Sequence, residues 1–241
     1  MSRSQRRIEL TPGYLLHHRP WRDSSRILEV LTREHGRLTL FARGVRAPRA
    51  RLAPVLQPFQ LLLLSWSGRG ESPWLTTAEC AQPASPLPPG CLLAAFYLNE
   101  LLLRLTTRHD ALPELFDHYH DTLARLRGGA PLEPTLRRFE KRLLSVLGYG
   151  LELAAEAHTG VPLEPDRYYD FRPGQGLVPA RASARALAGR SLIALAADNL
   201  SERRELEDAR RLLQAALAAC LEGGALHTRA VAKSMKQRAR L

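Results

Sequence analysis

The stretch QPASPLPPG, residues 82–90, places four prolines in nine positions. Proline fixes φ and has no amide hydrogen to donate, so neither a helix nor a sheet ladder runs through such a stretch. The chain is therefore divided there, and the two parts differ in period.

Before the break, residues 8–80 read as short strands separated by turns: IELTPGYLLHHRP, SSRILEVLT, RLTLFARGV, FQLLLLSW and SPWLTTAEC, with PWRD, REHG, an arginine-rich stretch and SGRGE between them. In RLTLFA the residues Leu38, Leu40 and Ala42 fall on one face, as in a half-buried strand. FQLLLLSW lacks that alternation and fits a strand covered on both sides. Five short strands in about 75 residues predict a small closed barrel, and the OB-fold is the common one that grips oligonucleotides, although the pattern also permits an SH3-like barrel.

After the break, CLLAAFYLNELLLRL (91–105) is apolar on most faces and predicts a buried helix. Further helices are predicted at LPELFDHYHDTLARLR, at PTLRRFEKRLLSVLG with Leu136, Phe139, Leu143, Leu144 and Leu147 as its apolar stripe, and at ELEDARRLLQAALAACLEG. Residues 151–181, including HTGVPLEPDRYYDFRPGQG, lack periodicity and predict an irregular insertion. The expected organisation is α+β: a five-stranded barrel domain over 1–81, a linker over 82–90, and a helical domain over 91–241.

Charge points to the class of partner. Residues 1–60 hold twelve arginines against Glu9, Asp23, Glu29 and Glu34, and residues 226–241 hold five basic side chains and no acid, so these ends carry +8 and +5 of a net +11. Positive charge confined in this way marks a binder of polyanions, because each contacted phosphate releases condensed counterions. The preference for arginine over lysine carries no further weight, since there are only three lysines in the whole chain.

Other classes find little support. Cys80, Cys91 and Cys220 are far apart, which suggests neither a disulfide framework nor a cysteine-based zinc site. No apolar run is long enough for a membrane span, and MSRSQRR is not followed by a signal core, so a cytoplasmic protein is expected. A phosphate loop, a dinucleotide fingerprint and a nucleophile elbow are absent. His118 and His120 lie two apart on a predicted helix and point away from each other, so they do not share an ion. No catalysis and no cofactor are expected. An RNA-binding barrel with a helical interaction domain and a metal-dependent nuclease of unfamiliar pattern remain as alternatives.

The stretches HRPWRDSSRILEVLTREHGRLTLFARGVR, LQPFQLLLLSWSGRGE, AAFYLNELL, LRRFEKRLLSVLGYG and GALHTRAVAKSMKQR, in this order over nearly the whole chain, resemble the bacterial RecO family of DNA repair proteins. The resemblance implies an OB-fold and a recombination mediator of the bacterial nucleoid. Such a mediator binds single- and double-stranded DNA, anneals complementary strands, engages the single-strand-binding protein SSB, and with RecR helps load RecA. A monomer is expected. Many members bind zinc through four cysteines after the GYG motif; this chain has approximately Glu156, Thr159, Pro179 and Ala182 there, so no metal is expected. Packing of Tyr168, Tyr169 and Phe171 is expected to hold that segment instead.

Within that frame, ARGVRAPRARL (42–52) is expected to project Arg43, Arg46, Arg49 and Arg51 from an exposed loop, with Pro48 keeping the loop from becoming helical. Arg19, Arg22, Arg26, Arg33 and Arg37 are expected to extend the DNA track. Four phosphate contacts to a single strand would make log K fall by about three units per decade of salt. Among Tyr14, Trp21, Phe41, Phe59, Trp66 and Trp74, most are expected in the core, with Trp21 the candidate for stacking on a base. The LRRFE match implies binding of the acidic, apolar-ended SSB tail by Arg137, Arg138, Phe139, Lys141 and Arg142. The basic terminus TRAVAKSMKQRAR reads equally as a second DNA contact or a frayed end.

Overall fold

The computed structural model describes residues 7–47, 49–68, 73–83, 85–221 and 224–238. Pro48, most of the SGRGE turn and the last three residues lie outside this range. The chain packs as two compact units, Met1–Leu123 with Leu226–Leu241, and Ala124–Ala225.

In the first unit, five strands of the described residues close into a barrel: β1 (Arg7–Trp21), β2 (Ser25–Thr32), β3 (Gly36–Ala42), β4 (Leu61–Ser67) and β5 (Trp74–Cys80). Their order around the barrel is β1-β2-β3-β5-β4, with β4 returning to β1 and a parallel pairing of β3 with β5. This is the OB-fold, and the SH3-like alternative falls away. The closure between β3 and β5 rests on one pair, Phe41 with Trp74.

Alternation fills the interior. Leu28 and Val30 of β2, Leu38, Leu40 and Ala42 of β3, and Leu62, Leu64 and Trp66 of β4 point inward into one cluster. FQLLLLSW therefore does alternate, with Leu61 and Leu63 half-buried on the outer side. In β1 the register shifts between Leu15 and His17, which lets Leu15 enter the barrel while Tyr14 and Leu16 are buried as well.

Two helices, α1 (Leu92–Leu105) and α2 (Pro113–Arg127, as far as Leu123 in this unit), cover that face of β1. A buried polar chain secures them: Tyr119 Oη donates to Asn99 Oδ1 at 2.5 Å, and Asn99 Nδ2 donates to the Leu16 carbonyl at 2.8 Å. Tyr14 packs edge-on to Tyr119 with ring centroids 5.0 Å apart, and its hydroxyl lies 2.6 Å from His120 Nδ1. The basic terminus is a helix, and this unit's last element is α6 (His227–Arg238), docked on α1. Glu100 of α1 accepts from the amides of His227 and Thr228 and from the Thr228 hydroxyl, satisfying donors that the start of a helix leaves free.

The second unit holds α3 (Leu132–Val146), α4 (Gly189–Ala196) and α5 (Arg203–Cys220). The region read as an irregular insertion is partly ordered. An antiparallel hairpin of β6 (Tyr168–Arg172) and β7 (Gly176–Ala180) turns at Gly174, whose φ of 78° suits glycine, and β6 also pairs with the short β8 (Leu187–Ala188). Tyr169 is fully buried and its hydroxyl accepts from the Glu164 amide, whereas Tyr168 and Phe171 are only half-buried. Fully buried Asp208 ties β8, α4 and α5 together, accepting from the Ala188 amide, the Ser191 hydroxyl, Arg204 and Arg211.

Candidate nucleic-acid interface

The arginine-rich stretch is a turn-rich loop pinned at both ends. Val45 and Leu56 join the barrel core, with Leu52 and Val55 packed against it, so the side chains between them have only the outside available. Arg43, Arg46, Arg49 and Arg51 are exposed accordingly. Arg49 takes a left-handed φ of 67°, and the backbone amide of Arg46 donates to the Ser24 carbonyl at 2.8 Å. That bond sets the loop against the β1–β2 turn, where Arg46 Nη1 also reaches the Arg22 carbonyl at 3.2 Å.

The nine arginines do not form one group. A strand of eight residues at about 3.3 Å per residue puts the two ends of β2 roughly 23 Å apart. Arg19, Arg22 and Arg26 gather at the end that also receives Arg43 and Arg46, since Arg26 pairs with both Pro20 and Ala42. Arg33 and Arg37 belong to the opposite end, and both meet acids. Arg33 forks onto Asp117 through Nε and Nη2, each at 2.9 Å, and this pairing holds the Asp117 carboxyl below its ordinary range. Arg37 donates to Glu29 at 3.0 Å, to Thr106 Oγ1 and to the Thr106 carbonyl. Glu29 also receives Arg108 at 2.6 Å.

Among the described residues, none of Arg19, Arg22, Arg26, Arg43 and Arg46 at the near end, nor Arg49 and Arg51 further along the loop, pairs with a carboxylate. His18, exposed beside them, has its pKa pushed down by partial burial and then by the charge of Arg26.

Between these cations lies a feature of which sequence reasoning found one member. Trp21, Phe41 and Trp74 are half-exposed, with ring centroids 4.8 Å (Trp21–Phe41), 5.0 Å (Phe41–Trp74) and 6.0 Å (Trp21–Trp74) apart. The Arg22 guanidinium lies 4.2 Å from the centre of Trp21, and that of Arg43 lies 3.6 Å from Trp74. Tyr14, Phe59 and Trp66 are buried. The alternation that turns Leu38, Leu40 and Ala42 inward also turns Phe41 outward. Phe41 was therefore legible, whereas Trp74 reaches the cluster only through its pairing with Phe41.

In the second unit the residues of the LRRFE stretch differ in access. Phe139 is 1% exposed and is a core residue, so it offers no contact to a partner. Arg137 is also buried, at 7%; its Nη2 meets buried Glu140 at 3.0 Å, while Nε and Nη1 have no hydrogen-bond partner among the described residues. Arg138, Lys141 and Arg142 all converge on Asp198, and Lys141 further caps the carbonyls of Leu195 and Ala196 at the end of α4. Arg138 and Arg142 keep about two fifths of their side chains exposed.

The zinc-equivalent segment does not fit a metal. The Thr159 hydroxyl donates to Glu156 Oε2 at 2.7 Å, closing the turn by a hydrogen bond, and Pro179 is paired in the β6–β7 ladder. Neither Pro179 nor Ala182 has a side-chain ligand.

Comparison with known proteins supplies the remaining finding. The profile described as Recombination protein O N terminal matches residues 7–84, and that described as Recombination protein O C terminal matches residues 91–230. The DNA repair protein RecO of Methylococcus capsulatus is 43% identical over 228 residues, covering 95% of this chain and 94% of the relative. That of Nitrosococcus oceani is 41% identical over 234 residues, covering 96% and 95%. That of Glaesserella parasuis is 39% identical over 225 residues, covering 92% and 94%.

Proposed function

The chain belongs to the Recombination protein O family of DNA repair proteins, and we propose that it acts as a recombination mediator whose barrel grips DNA by its phosphates. In this reading it binds single- and double-stranded DNA, anneals complementary strands without bond chemistry, engages the SSB tail, and with RecR promotes RecA loading in the cytoplasm, at the nucleoid. The observation that supports it most is the set of arginines without carboxylate partners, among the described residues, on one end of the barrel and the loop that leaves it: Arg19, Arg22, Arg26, Arg43, Arg46, Arg49 and Arg51. Arg33 and Arg37 are left out of the track, because their charge is matched by Asp117 and Glu29. No helix of the described residues is long and apolar enough to cross a membrane.

Annealing follows from the same electrostatics. Two complementary strands repel through their phosphates, and a surface that neutralises several of them lets the strands meet without nucleotide hydrolysis. For the SSB tail, Arg138 and Arg142 are the residues best placed, since each keeps about two fifths of its side chain exposed to the tail's acids and terminal carboxylate. Arg137, enclosed with Glu140, is left out of the contact.

The deciding experiment measures annealing of complementary oligonucleotides and the salt dependence of single-strand binding, without metal or nucleotide, for the natural chain and for Arg46→Glu with Arg49→Glu. Seven phosphate contacts, one for each of the arginines without carboxylate partners, predict a slope of log K on log salt of about −5. Loss of annealing and a shallower slope in the variant are expected; an unchanged slope and affinity would remove the barrel end from the interface.

A further inference from the structure

We propose that Trp21, Phe41 and Trp74 form a base-stacking platform, so that this surface holds a single DNA strand by its bases as well as by its phosphates. The proposal rests on the ionic reading above and adds to it a contact that duplex DNA, with its bases stacked inside, does not offer.

The three rings are not needed to fill the barrel. Its interior is occupied by Leu15, Leu28, Leu40, Leu62, Leu64 and Trp66, while Phe41 belongs to the outward face of β3. Nor are they covered as the rest of that face is. Further along the same hairpin, the outward residues Glu29, Arg37 and Thr39 are closed over by Thr106 and Arg108. The covering stops short of Phe41, leaving an aromatic surface open beside Arg19 and Ile27, which pair across β1 and β2.

The occupant is indicated by what borders the rings. Arg22 and Arg43 lie against the two indoles, and a guanidinium so placed stacks on a base or swings to a phosphate when a base replaces it. An apolar protein segment would gain nothing from Arg19, Arg22, Arg26, Arg43 and Arg46, cations without carboxylate partners among the described residues at this end of the barrel. A nucleic-acid strand, with a flat apolar base for every phosphate, matches both features. The location also agrees with the general use of OB barrels, in which the face of strands 2 and 3 and the loop between strands 1 and 2 take oligonucleotides.

The test compares the full chain's affinity for an oligodeoxythymidine strand with that for an abasic strand of equal length, which keeps the phosphates and lacks the bases, at one salt concentration. Two stacked bases predict at least roughly 30-fold tighter binding of the base-bearing strand. Trp21→Ala and Trp74→Ala should each reduce that ratio, the loss falling more heavily on the base-bearing strand than on the abasic one. Equal affinity of the natural chain for the two strands overturns the platform and leaves the ionic track standing. Failure to bind either strand overturns both. Trp74→Ala alters a residue paired to β3 and β4, so Trp21→Ala, at a strand end, serves as the second variant, with thermal melting to verify folding.

Discussion

Arg37 and Glu29 form an ion pair at 3.0 Å with only 12% and 14% of their side chains exposed, on the outward face of the β2–β3 hairpin. This pair, extended by Thr106, Arg108 and Thr39, holds the segment after α1 against the barrel. Removing one partner of a well-buried pair leaves the other without compensation, at a cost of about 3 kcal/mol. Arg37→Ala should therefore lower stability by about that amount in urea unfolding while the slope of DNA binding on salt stays as in the natural chain. A changed slope with unchanged stability would put Arg37 back on the DNA track.

Gly36 opens the same hairpin in a left-handed conformation, φ 66°, and a methyl group added there would lie 2.0 Å from the Asp110 carbonyl oxygen. The contact is with backbone, which cannot swing aside. Gly36→Ala should cost about 3 kcal/mol, combining the strained conformation with the overlap. Thermal melting measures it, and an unchanged midpoint would mean that the turn opens without penalty.

Asp208 provides a pH-dependent test in the second unit. Burial alone would raise its carboxyl, but bonds from the Ala188 amide, Arg211, Ser191 and Arg204 hold it below the ordinary range. A carboxyl lowered in the folded state stabilises fully above its unfolded value of about 3.9 and loses that contribution as pH falls through the lower folded value. Asp208→Asn should thus be about 2 kcal/mol less stable at neutral pH, a figure reduced for the partial exposure of Arg204 and Arg211, with the gap closing in acid. A gap that persists undiminished at the lowest pH would exclude this origin.

Glu100 anchors the basic terminal helix. Burial would raise its carboxyl, yet the bonds from Thr228 and His227 hold it low, so it is charged at the amino end of α6, where a negative group is favoured. Glu100→Ala should cost about 1 kcal/mol, as loss of a helix cap does. Faster tryptic cleavage at Arg229 and Lys233 would report the freed helix, and cleavage at the natural rate would show that packing on α1 suffices.

Titration of a labelled SSB tail peptide separates half-exposed Arg142 from buried Phe139. Arg142→Ala should weaken binding roughly 10-fold, as expected for loss of a charge-assisted bond. Phe139→Ala should instead lower stability by about 3 kcal/mol, because its ring is in the core. Unaltered peptide affinity in Arg142→Ala would locate the tail elsewhere.

Much of the fold is legible because it is written in local period. Leu38, Leu40 and Ala42 announce an inward strand face, Leu143 and Leu144 a helix stripe, and the prolines of 82–90 a division between the two. α4 escaped because eight residues beginning with glycine hold too little period, and β6 and β7 because YYDFR and GLVPA are brief. The exposed loop arginines were legible too, since four cations and a proline between two strands fit a surface loop.

The sequence by itself determined that a small barrel precedes helices and that excess positive charge lies at the chain's ends, since alternation and composition are properties of neighbours along the chain. Only the tertiary structure decided which charges are free. Arg33 meets Asp117, 84 positions away, and Arg37 meets Glu29 on the neighbouring strand. It also decided that Trp21, Phe41 and Trp74, from three strands, share one surface. The reason is physical: an arginine's availability depends on the acid that chain folding brings within hydrogen-bonding distance, and no local pattern records that acid's position.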